Sequence, residues 1–200
     1  HEQAISDVVR SAKPGMEFIK DCARLLAEEG KHLSFTTRTG FPMHQFYRKH
    51  DNKAQKVWMY DRPSKTYKKD GELNPRVFSD AVNAIKSVNA SSPNIIHAQD
   101  STLLMNVVVA LRKQGITDVM TIHDSFSTTA GHMQIMRHTL LEETRKLYDG
   151  YCLFTELLEQ VKDKLDDWTA VDLPTVPRKG NVAGVVFNLM EIERANYAYM

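Results

Sequence analysis

The stretch Asp118-Val-Met-Thr-Ile-His-Asp-Ser-Phe-Ser127 decides the fold prediction. Its apolar, partly β-branched first half predicts a strand, and helix-like sequence lies on both sides of it. The strand runs into His123, Asp124 and Ser125. A carboxylate at the end of a strand is well placed to bind a metal ion, so Asp124 is a candidate ligand. On the residues alone, Asp124 is equally consistent with a turn former.

The adjacent His123, Asp124 and Ser125 resemble a catalytic triad in composition but not in expected geometry. Neighbouring residues of a strand point to opposite faces, so His123 and Asp124 could not orient one another as base and carboxylate. Three separate roles follow. Asp124 suits a hard cation such as Mg²⁺, His123 projects to the other side toward a substrate or a backbone group, and Ser125 sets the turn. Two-metal phosphoryl transfer would need a second carboxylate from elsewhere.

A second informative stretch follows Pro93, which we expect to open a helix that ends at Gly115. A polar cluster lies near the predicted start of this helix: His97, Gln99, Asp100 and Ser101. Backbone N–H groups are free at a helix N-terminus, so the cluster could meet a ligand there. Alternatively, Asp100 or Ser101 simply caps the helix.

The remaining sequence predicts helices combined with a small antiparallel sheet. We expect helical residues at 3–29, with a break at Lys13-Pro14-Gly15, and strands at 33–37, 41–48 and 56–60. A polar loop at 64–73 precedes a helix that begins at Asn74-Pro75 and frays before Pro93. Helices at 130–149 and 151–165 lead to an extended segment, 173–181, and a short terminal helix. This order of elements predicts the α+β class.

Composition limits the function classes without choosing one. The chain has 42% hydrophobic and 26% charged residues with a net charge of +1, and no apolar run reaches the roughly 20 residues of a membrane span. Cys22 and Cys152 are far apart, which favours a reducing compartment. Neither has a partner at zinc-ligand spacing, so we predict no structural zinc.

Charge is distributed unevenly along the chain. Residues 38–69 contain nine Lys or Arg against two Asp, whereas residues 156–172 contain six acids against two lysines. Aromatic residues alternate with the basic ones in the first segment: Phe41, Phe46, Tyr47, Trp58, Tyr60 and Tyr67. Such a segment could follow a phosphate backbone. The alternative is a solvated hairpin whose aromatic side chains pack inward.

Four blocks resemble motifs of the bacteriophage and mitochondrial type of single-subunit DNA-directed RNA polymerase. Ile122-His-Asp-Ser-Phe126 resembles the palm motif, and His97-Ala-Gln-Asp-Ser-Thr-Leu-Leu104 resembles the family's His-Ser-Gln-Asp segment upstream of it. Thr39-Gly-Phe-Pro-Met43 and Leu173-Pro-Thr-Val-Pro-Arg-Lys-Gly-Asn181 resemble two further blocks of the family. The resemblance implies that residues 1–200 form a C-terminal palm and fingers portion of a right-hand polymerase fold, with helices around a small antiparallel palm sheet.

The resemblance also implies a role for each site residue. Asp124 would bind the catalytic Mg²⁺, and His123 would lie near the RNA 3′ end. His97, Gln99 and Asp100 would contact nucleic acid beside the active site. The implied reaction is template-directed RNA synthesis from ribonucleoside triphosphates, with a DNA template and the nascent RNA as partners.

The same resemblance implies that the site is incomplete in this chain. The other metal-binding aspartate, and a helix with the Lys and Tyr that select the ribonucleotide, are expected in a preceding segment or in a second polypeptide of a heterodimer. For a phage protein, the expected location is the cytoplasm of the infected bacterium. Two alternatives stay open: a DNA polymerase relative of the same fold, and a non-catalytic nucleic-acid-binding palm module.

Overall fold

The computed structural model describes residues 12–51, 55–73, 77–177, 181–182, 185–186 and 188–194. The helices are α1 (Ala12–Glu28), α2 (Ala84–Lys113), α3 (Met133–Tyr148), α4 (Leu153–Lys162) and α5 (Met190–Arg194), with a 3₁₀ turn at Ala130–His132. The strands are β1 (Ser34–Thr36), β2 (Pro42–His44), β3 (Arg48–Asp51), β4 (Gln55–Asp61), β5 (Thr66–Leu73), β6 (Val77–Val82), β7 (Val119–Ile122), β8 (Ser125–Thr128), β9 (Asn181–Val182) and β10 (Val185–Val186).

The strands pair antiparallel, which confirms the α+β prediction. Among the described residues they form five separate two-stranded ribbons: β1–β2, β3–β6, β4–β5, β7–β8 and β9–β10. A two-stranded ribbon has little stability of its own in water, so each one depends on its neighbours. The prediction of one small sheet was therefore wrong within the described residues, and the helices carry the core.

The larger core lies where α1 packs against α2 and α4, with β1 beside it. Its buried members include Phe18, Leu26, Phe35, Ile95 and Leu157. The apolar residues that repeat at helical spacing on α1 and on α4 meet in this cluster.

A second, smaller core joins α2 to α3 and reaches the β7–β8 hairpin. Val107 and Leu111 of α2 pack with Met136 and Leu140 of α3, and Val119 and Phe126 of the hairpin lie against them. The orientation of this hairpin relative to α2 therefore rests on apolar packing.

The predicted break at Lys13-Pro14-Gly15 was wrong, because these residues are helical and belong to α1. Gly15 allows α1 to approach α4 closely and does not form a turn. A Cβ built on Gly15 would lie 2.6 Å from Cζ of Phe154 in α4, closer than a real Cβ contact allows. The predicted helical residues before Ala12 lie outside the described ones.

Two predictions between residues 64 and 93 were also wrong. Residues 66–73, expected as a loop, form strand β5, and residues 77–82, expected as a helix, form strand β6. The helix begins at Ala84 instead, where Asn83 is the N-cap and its Oδ1 accepts a 3.1 Å hydrogen bond from the Lys86 N–H. The predicted cap, Asn74, lies outside the described residues.

Pro93 lies inside α2 and does not begin a helix. The two predicted helices on either side of it form one helix of 30 residues, about 45 Å long. Just before Pro93, the Ser91 hydroxyl donates to the Val88 carbonyl of the preceding turn at 2.7 Å. The predicted helix end is confirmed, since Gln114 is the C-cap and Gly115 follows with φ +83°.

The C-terminal part agrees with the sequence as far as it is described. Helices α3 and α4 lie within the predicted ranges, residues 173–177 belong to no helix or strand, and α5 is the predicted short terminal helix. No described helix is long and apolar enough to cross a membrane. Cys22 and Cys152 form no disulfide, and burial raises the pKa of the Cys22 thiol to about 12.

Candidate active site

The central motif forms a tight hairpin between β7 and β8. Ile122 pairs with Ser125, so His123 and Asp124 are the two turn residues. His123 has a positive φ of 55°, a region that residues other than glycine rarely adopt. The turn therefore presents His123 and Asp124 at its tip, and both are exposed.

This geometry corrects two predictions about the motif. Asp124 is a turn residue between two strands and does not end an isolated strand. Ser125 belongs to β8 and does not occupy the turn. The argument against a triad assumed strand alternation, which does not apply to the turn residues His123 and Asp124.

Side-chain contacts at the other end of the hairpin hold its strands together. The Thr128 hydroxyl donates to the Asp118 carbonyl at 2.8 Å, and the Ser127 hydroxyl donates to the Met120 carbonyl at 3.3 Å. Phe126 packs into the second core. The base of the hairpin is thereby fixed to α2 and α3, and its tip is left free to meet a ligand.

The polar cluster of α2 lies near the middle of the helix, so the predicted N-terminal location was wrong. Asp100 and Ser101 therefore cannot cap it. The Ser101 hydroxyl donates instead to the His97 carbonyl, one turn earlier, at 2.8 Å. Side chains at i, i+3, i+4 and i+7 share one helix face, and His97, Asp100, Ser101 and Leu104 have this spacing.

The helix face and the hairpin tip enclose one open cleft of about 780 Å³. Its walls are His97, Asp100, Ser101 and Leu104 from α2 and His123 and Asp124 from the turn. The structure thus brings four of the five predicted site residues together. Ser101, a member of the predicted polar cluster, also lines the cleft. Leu104 was not predicted as a site residue, although its helical spacing from His97 would have identified it.

The cleft concentrates negative charge. Burial raises the pKa of Asp100 above its ordinary value, His97 opposes the rise, and the negative charge of Asp124 adds to it. Asp100 and Asp124 therefore interact electrostatically across the cleft. Two carboxylates facing one space attract a divalent cation or hydrogen-bond donors.

The fifth predicted residue, Gln99, lies on the other side of α2. Its side chain is 2% exposed, and its Nε2 donates to the Tyr151 hydroxyl at 3.4 Å. Gln99 Oε1 is buried without a hydrogen-bond partner. A direct contact of Gln99 with nucleic acid stays a prediction; in this structure Gln99 faces the interior.

Tyr151 links Gln99 to the turn between β1 and β2. Arg38 from that turn lies over the Tyr151 ring at 5.7 Å, and its Nη1 donates to the carbonyls of Lys146, Leu147 and Asp149. Burial raises the pKa of Tyr151. These contacts join the end of α3 to the inward face of α2, directly behind the cleft.

The basic and aromatic segment forms the β4–β5 ribbon and its surroundings. Every described residue of β5 is exposed, and four predicted aromatic rings lie 52–68% exposed: Phe46, Trp58, Tyr60 and Tyr67. The alternative in which these aromatic side chains pack inward is wrong for these four. The ribbon offers cations and ring faces to solvent, which is a suitable surface for a nucleic-acid strand.

The donor set fits Mg²⁺ in part. Mg²⁺ is commonly held by one or two carboxylates together with water and substrate phosphates. Asp124 and Asp100 supply two carboxylates, and no group of three or more His, Cys, Asp or Glu positioned for a metal occurs within the ranges described above. The chain can therefore contribute ligands to a Mg²⁺ site that substrate or other groups complete.

A sequence model of the DNA-dependent RNA polymerase family matches residues 2–179, and the chain belongs to this family. The resemblance predicted from the four blocks is confirmed. The chain is 29% identical over 212 residues to the DNA-directed RNA polymerase of Enterobacteria phage T3 and 26% identical over 214 residues to the T7 RNA polymerase of Escherichia phage T7. It is 26% identical over 197 residues to the mitochondrial DNA-directed RNA polymerase 1 of Arabidopsis thaliana.

The alignments cover nearly all of this chain and a small part of each relative. They include 98% of the 200 residues, but 22% of the T3 protein, 23% of the T7 protein and 18% of the Arabidopsis protein. The chain thus spans about a fifth of the length of the curated relatives it matches.

Proposed function

We propose that this chain supplies part of the active site of a DNA-directed RNA polymerase, which synthesises RNA from ribonucleoside triphosphates on a DNA template. The observation that carries the proposal is the cleft in which the α2 face meets the hairpin tip. It joins two of the family-like blocks, 97–104 and 122–126, in one space. Family membership supports the RNA-synthesising reaction over the DNA polymerase alternative.

Asp124 is the proposed Mg²⁺ ligand. Its exposed position at the tip of a tight turn lets an ionised carboxylate reach a cation without crossing other side chains. When bound, Mg²⁺ would stabilise the negative charge of the triphosphate and favour ionisation of the attacking hydroxyl. His123, beside Asp124 in the same turn, is the proposed neighbour of the RNA 3′ end.

His97 and Asp100 are proposed to contact the nucleic acid at the opposite wall of the cleft. An ionised Asp100 repels phosphate groups, so its partners would be donors such as sugar hydroxyls or base amino groups. His97 offers an imidazole that can donate or accept. Gln99 would support this wall through its bond to Tyr151.

The remaining groups are proposed to come from beyond these 200 residues. The second metal-binding aspartate and the Lys- and Tyr-bearing helix would lie in another segment of the same protein or in the second chain of a heterodimer. The right-hand fold, with residues 1–200 as the C-terminal palm and fingers portion, belongs to the same proposal. For a phage protein the location would be the cytoplasm of the infected host.

The basic ribbon β4–β5 is proposed as a second nucleic-acid contact. Lys56, Lys68 and Lys69 lie on the two strands that also carry the exposed aromatic rings. Contacts to phosphates depend strongly on salt concentration. Replacing these three lysines by glutamine should therefore weaken DNA binding and flatten its dependence on salt.

Nucleotide incorporation by the isolated protein, with every chain that co-purifies, tests the reaction. On a primed DNA template the proposal predicts extension with ribonucleotides in preference to deoxyribonucleotides. Preferential use of deoxyribonucleotides would support the DNA polymerase alternative. Template binding without any extension by the complete assembly would support the non-catalytic module.

A further inference from the structure

A second groove adjoins the cleft on the N-terminal side of α2. It has a volume of about 380 Å³, and its walls are formed by Phe41, Met43, His44 and Tyr47 on one side and by Asn94, His97, Ala98 and Ser101 on the other. His97 and Ser101 also line the cleft. The two spaces therefore lie next to one another on α2 and share His97 and Ser101 as wall residues.

The first wall of the groove is largely aromatic, and the structure holds its rings in place. Asn94 Nδ2 donates to the Tyr47 hydroxyl at 3.1 Å, which fixes the Tyr47 ring against α2. The backbone carbonyl of Phe41, just before β2, accepts from the Thr37 N–H at 2.9 Å, which closes the turn between β1 and β2. Phe41 and Tyr47 are both half-buried, with part of each side chain open to solvent.

Charge at the rim of the groove is positive. Lys86 Nζ lies 4.9 Å from the centre of the Tyr47 ring, and Arg48 follows Tyr47 in the chain. Arg48 is paired with Asp80 at 3.5 Å in an exposed ion pair, whereas Lys86 lies over the Tyr47 ring. Aromatic rings beside a cation suit a ligand with a flat base and a phosphate.

The size and the polar groups agree with such a ligand. A volume of 380 Å³ is at the lower end of the range for small-molecule sites, which start at about 300 Å³. His44 and Asn94 bring an imidazole and an amide, groups that can hydrogen-bond the edge of a base. A purely apolar ligand would accept no hydrogen bond from His44 or Asn94 and would form no ion pair with Lys86.

We propose that this groove holds an unpaired nucleotide of the strand that occupies the cleft, with the base against Phe41 and Tyr47 and the phosphate toward Lys86. This inference rests on the proposed function, because the wall that the groove shares with the cleft selects a nucleic-acid strand as the occupant. It adds a binding site for a single nucleotide outside the reacting groups.

The test asks whether the affinity for an oligonucleotide depends jointly on the bases of the probe and on the aromatic ring of Phe41. It uses the complete protein as it is isolated. The probes are fluorescent single-stranded oligonucleotides of about 12 nucleotides, within the length that single-strand-binding folds cover. Each is used as a uridine-containing RNA, a thymidine-containing DNA and a fully abasic strand of the same length. The variants are Phe41→Ala and Phe41→Leu, with Trp168→Ala as the matched control on an aromatic ring outside the groove.

The proposal predicts that Phe41→Ala weakens binding of the base-containing strands by about 5- to 150-fold, the range of base–aromatic stacking. Binding of the abasic strand should change less than twofold. Phe41→Leu keeps an apolar side chain without a flat ring and should show the same selective loss if the fold is intact. Trp168→Ala should leave all three affinities unchanged.

Equal losses for base-containing and abasic strands in Phe41→Leu would overturn the proposal, as would an unchanged affinity in both Phe41 variants. The ribo- and deoxyribonucleotide arms identify the source of the nucleotide. The two proposals fail separately. Full turnover by Asp124→Asn alongside base-selective loss at Phe41 would remove the catalytic role of the cleft and keep the groove as a nucleotide site.

Discussion

Replacing His123 by glycine should stabilise the β7–β8 hairpin and impair the reaction at the same time. His123 is one of two described residues other than glycine with a positive φ; the other is Lys65, in the turn between β4 and β5. Their φ values are 55° and 51°, so the two turns form a matched pair. One lies at the cleft, whereas the other lies on the exposed ribbon.

The magnitude follows from the backbone alone. A sparsely populated conformation of this kind costs about 1–3 kcal/mol. Glycine removes that cost. Its greater backbone freedom also stabilises the opened chain by about 0.4–1 kcal/mol, which opposes the gain. The net effect for His123→Gly and for Lys65→Gly is stabilisation of each hairpin by about 1 kcal/mol. This makes the opened hairpin roughly fivefold less populated at equilibrium.

Amide hydrogen exchange across each hairpin measures this opening directly. His123→Gly should slow exchange in β7–β8 and reduce nucleotide incorporation, whereas Lys65→Gly should slow exchange in β4–β5 and leave incorporation at saturating template unchanged. His123→Ala keeps the backbone strain and removes the imidazole, so it should reduce incorporation without slowing exchange. Faster exchange in both glycine variants would refute the assignment of strain to positive φ.

Three further predictions concern the structure behind the cleft. Gly15→Ala should lower the free energy of unfolding by about 1–3 kcal/mol, because the new Cβ would lie 2.6 Å from Phe154. Gly131 has open space around it, so Gly131→Ala should not destabilise the protein in this way. Equal denaturation midpoints for the two variants would contradict this. Arg38→Ala should destabilise by about 0.5–1.5 kcal/mol in urea denaturation, since water replaces the donor to three carbonyls at the end of α3. Burial raises the pKa of Tyr151, so the folded state favours the neutral phenol. The free energy of unfolding should therefore fall as pH rises above the ordinary tyrosine pKa of about 10. Tyr151→Phe should remove that part of the decline, and an unaltered decline would refute the prediction.

The sequence predicts the site better than it predicts the secondary structure around it. Periodicity locates the apolar faces of α1, α3 and α4, because those faces repeat at helical spacing. It fails between residues 64 and 93, where the turn signals at Asn74-Pro75 and Pro93 look like helix starts. The actual start is Asn83, and Pro93 is accommodated within α2.

Strand β5 escaped prediction for a related reason, whereas its partner β4 was predicted at 56–60. Strand prediction depends on alternation between buried and exposed positions, and nearly all positions of this ribbon are exposed. Pairing with β4 makes residues 66–73 a strand, and no local pattern in 66–73 reports on that pairing.

The composition of the cleft was predictable, but its shape was not. His97, Asp100, His123 and Asp124 were identified from short motifs, and the structure brings them together. The turn at His123 depends on a positive φ that histidine seldom adopts, so sequence favours a plain strand end there. The inward direction of Gln99 follows from the long helix that the sequence divided at Pro93.

The most direct test of the polymerase proposal is RNA synthesis by Asp124→Asn in the complete protein, compared with Asp118→Asn at the other end of the same hairpin. Loss of a charge that stabilises the transition state by several kcal/mol should reduce turnover by about a thousandfold or more, with template binding nearly unchanged. Asp118→Asn should keep both turnover and binding close to those of the unmodified protein. Full turnover by Asp124→Asn would contradict the assignment of this cleft as the site of nucleotide transfer.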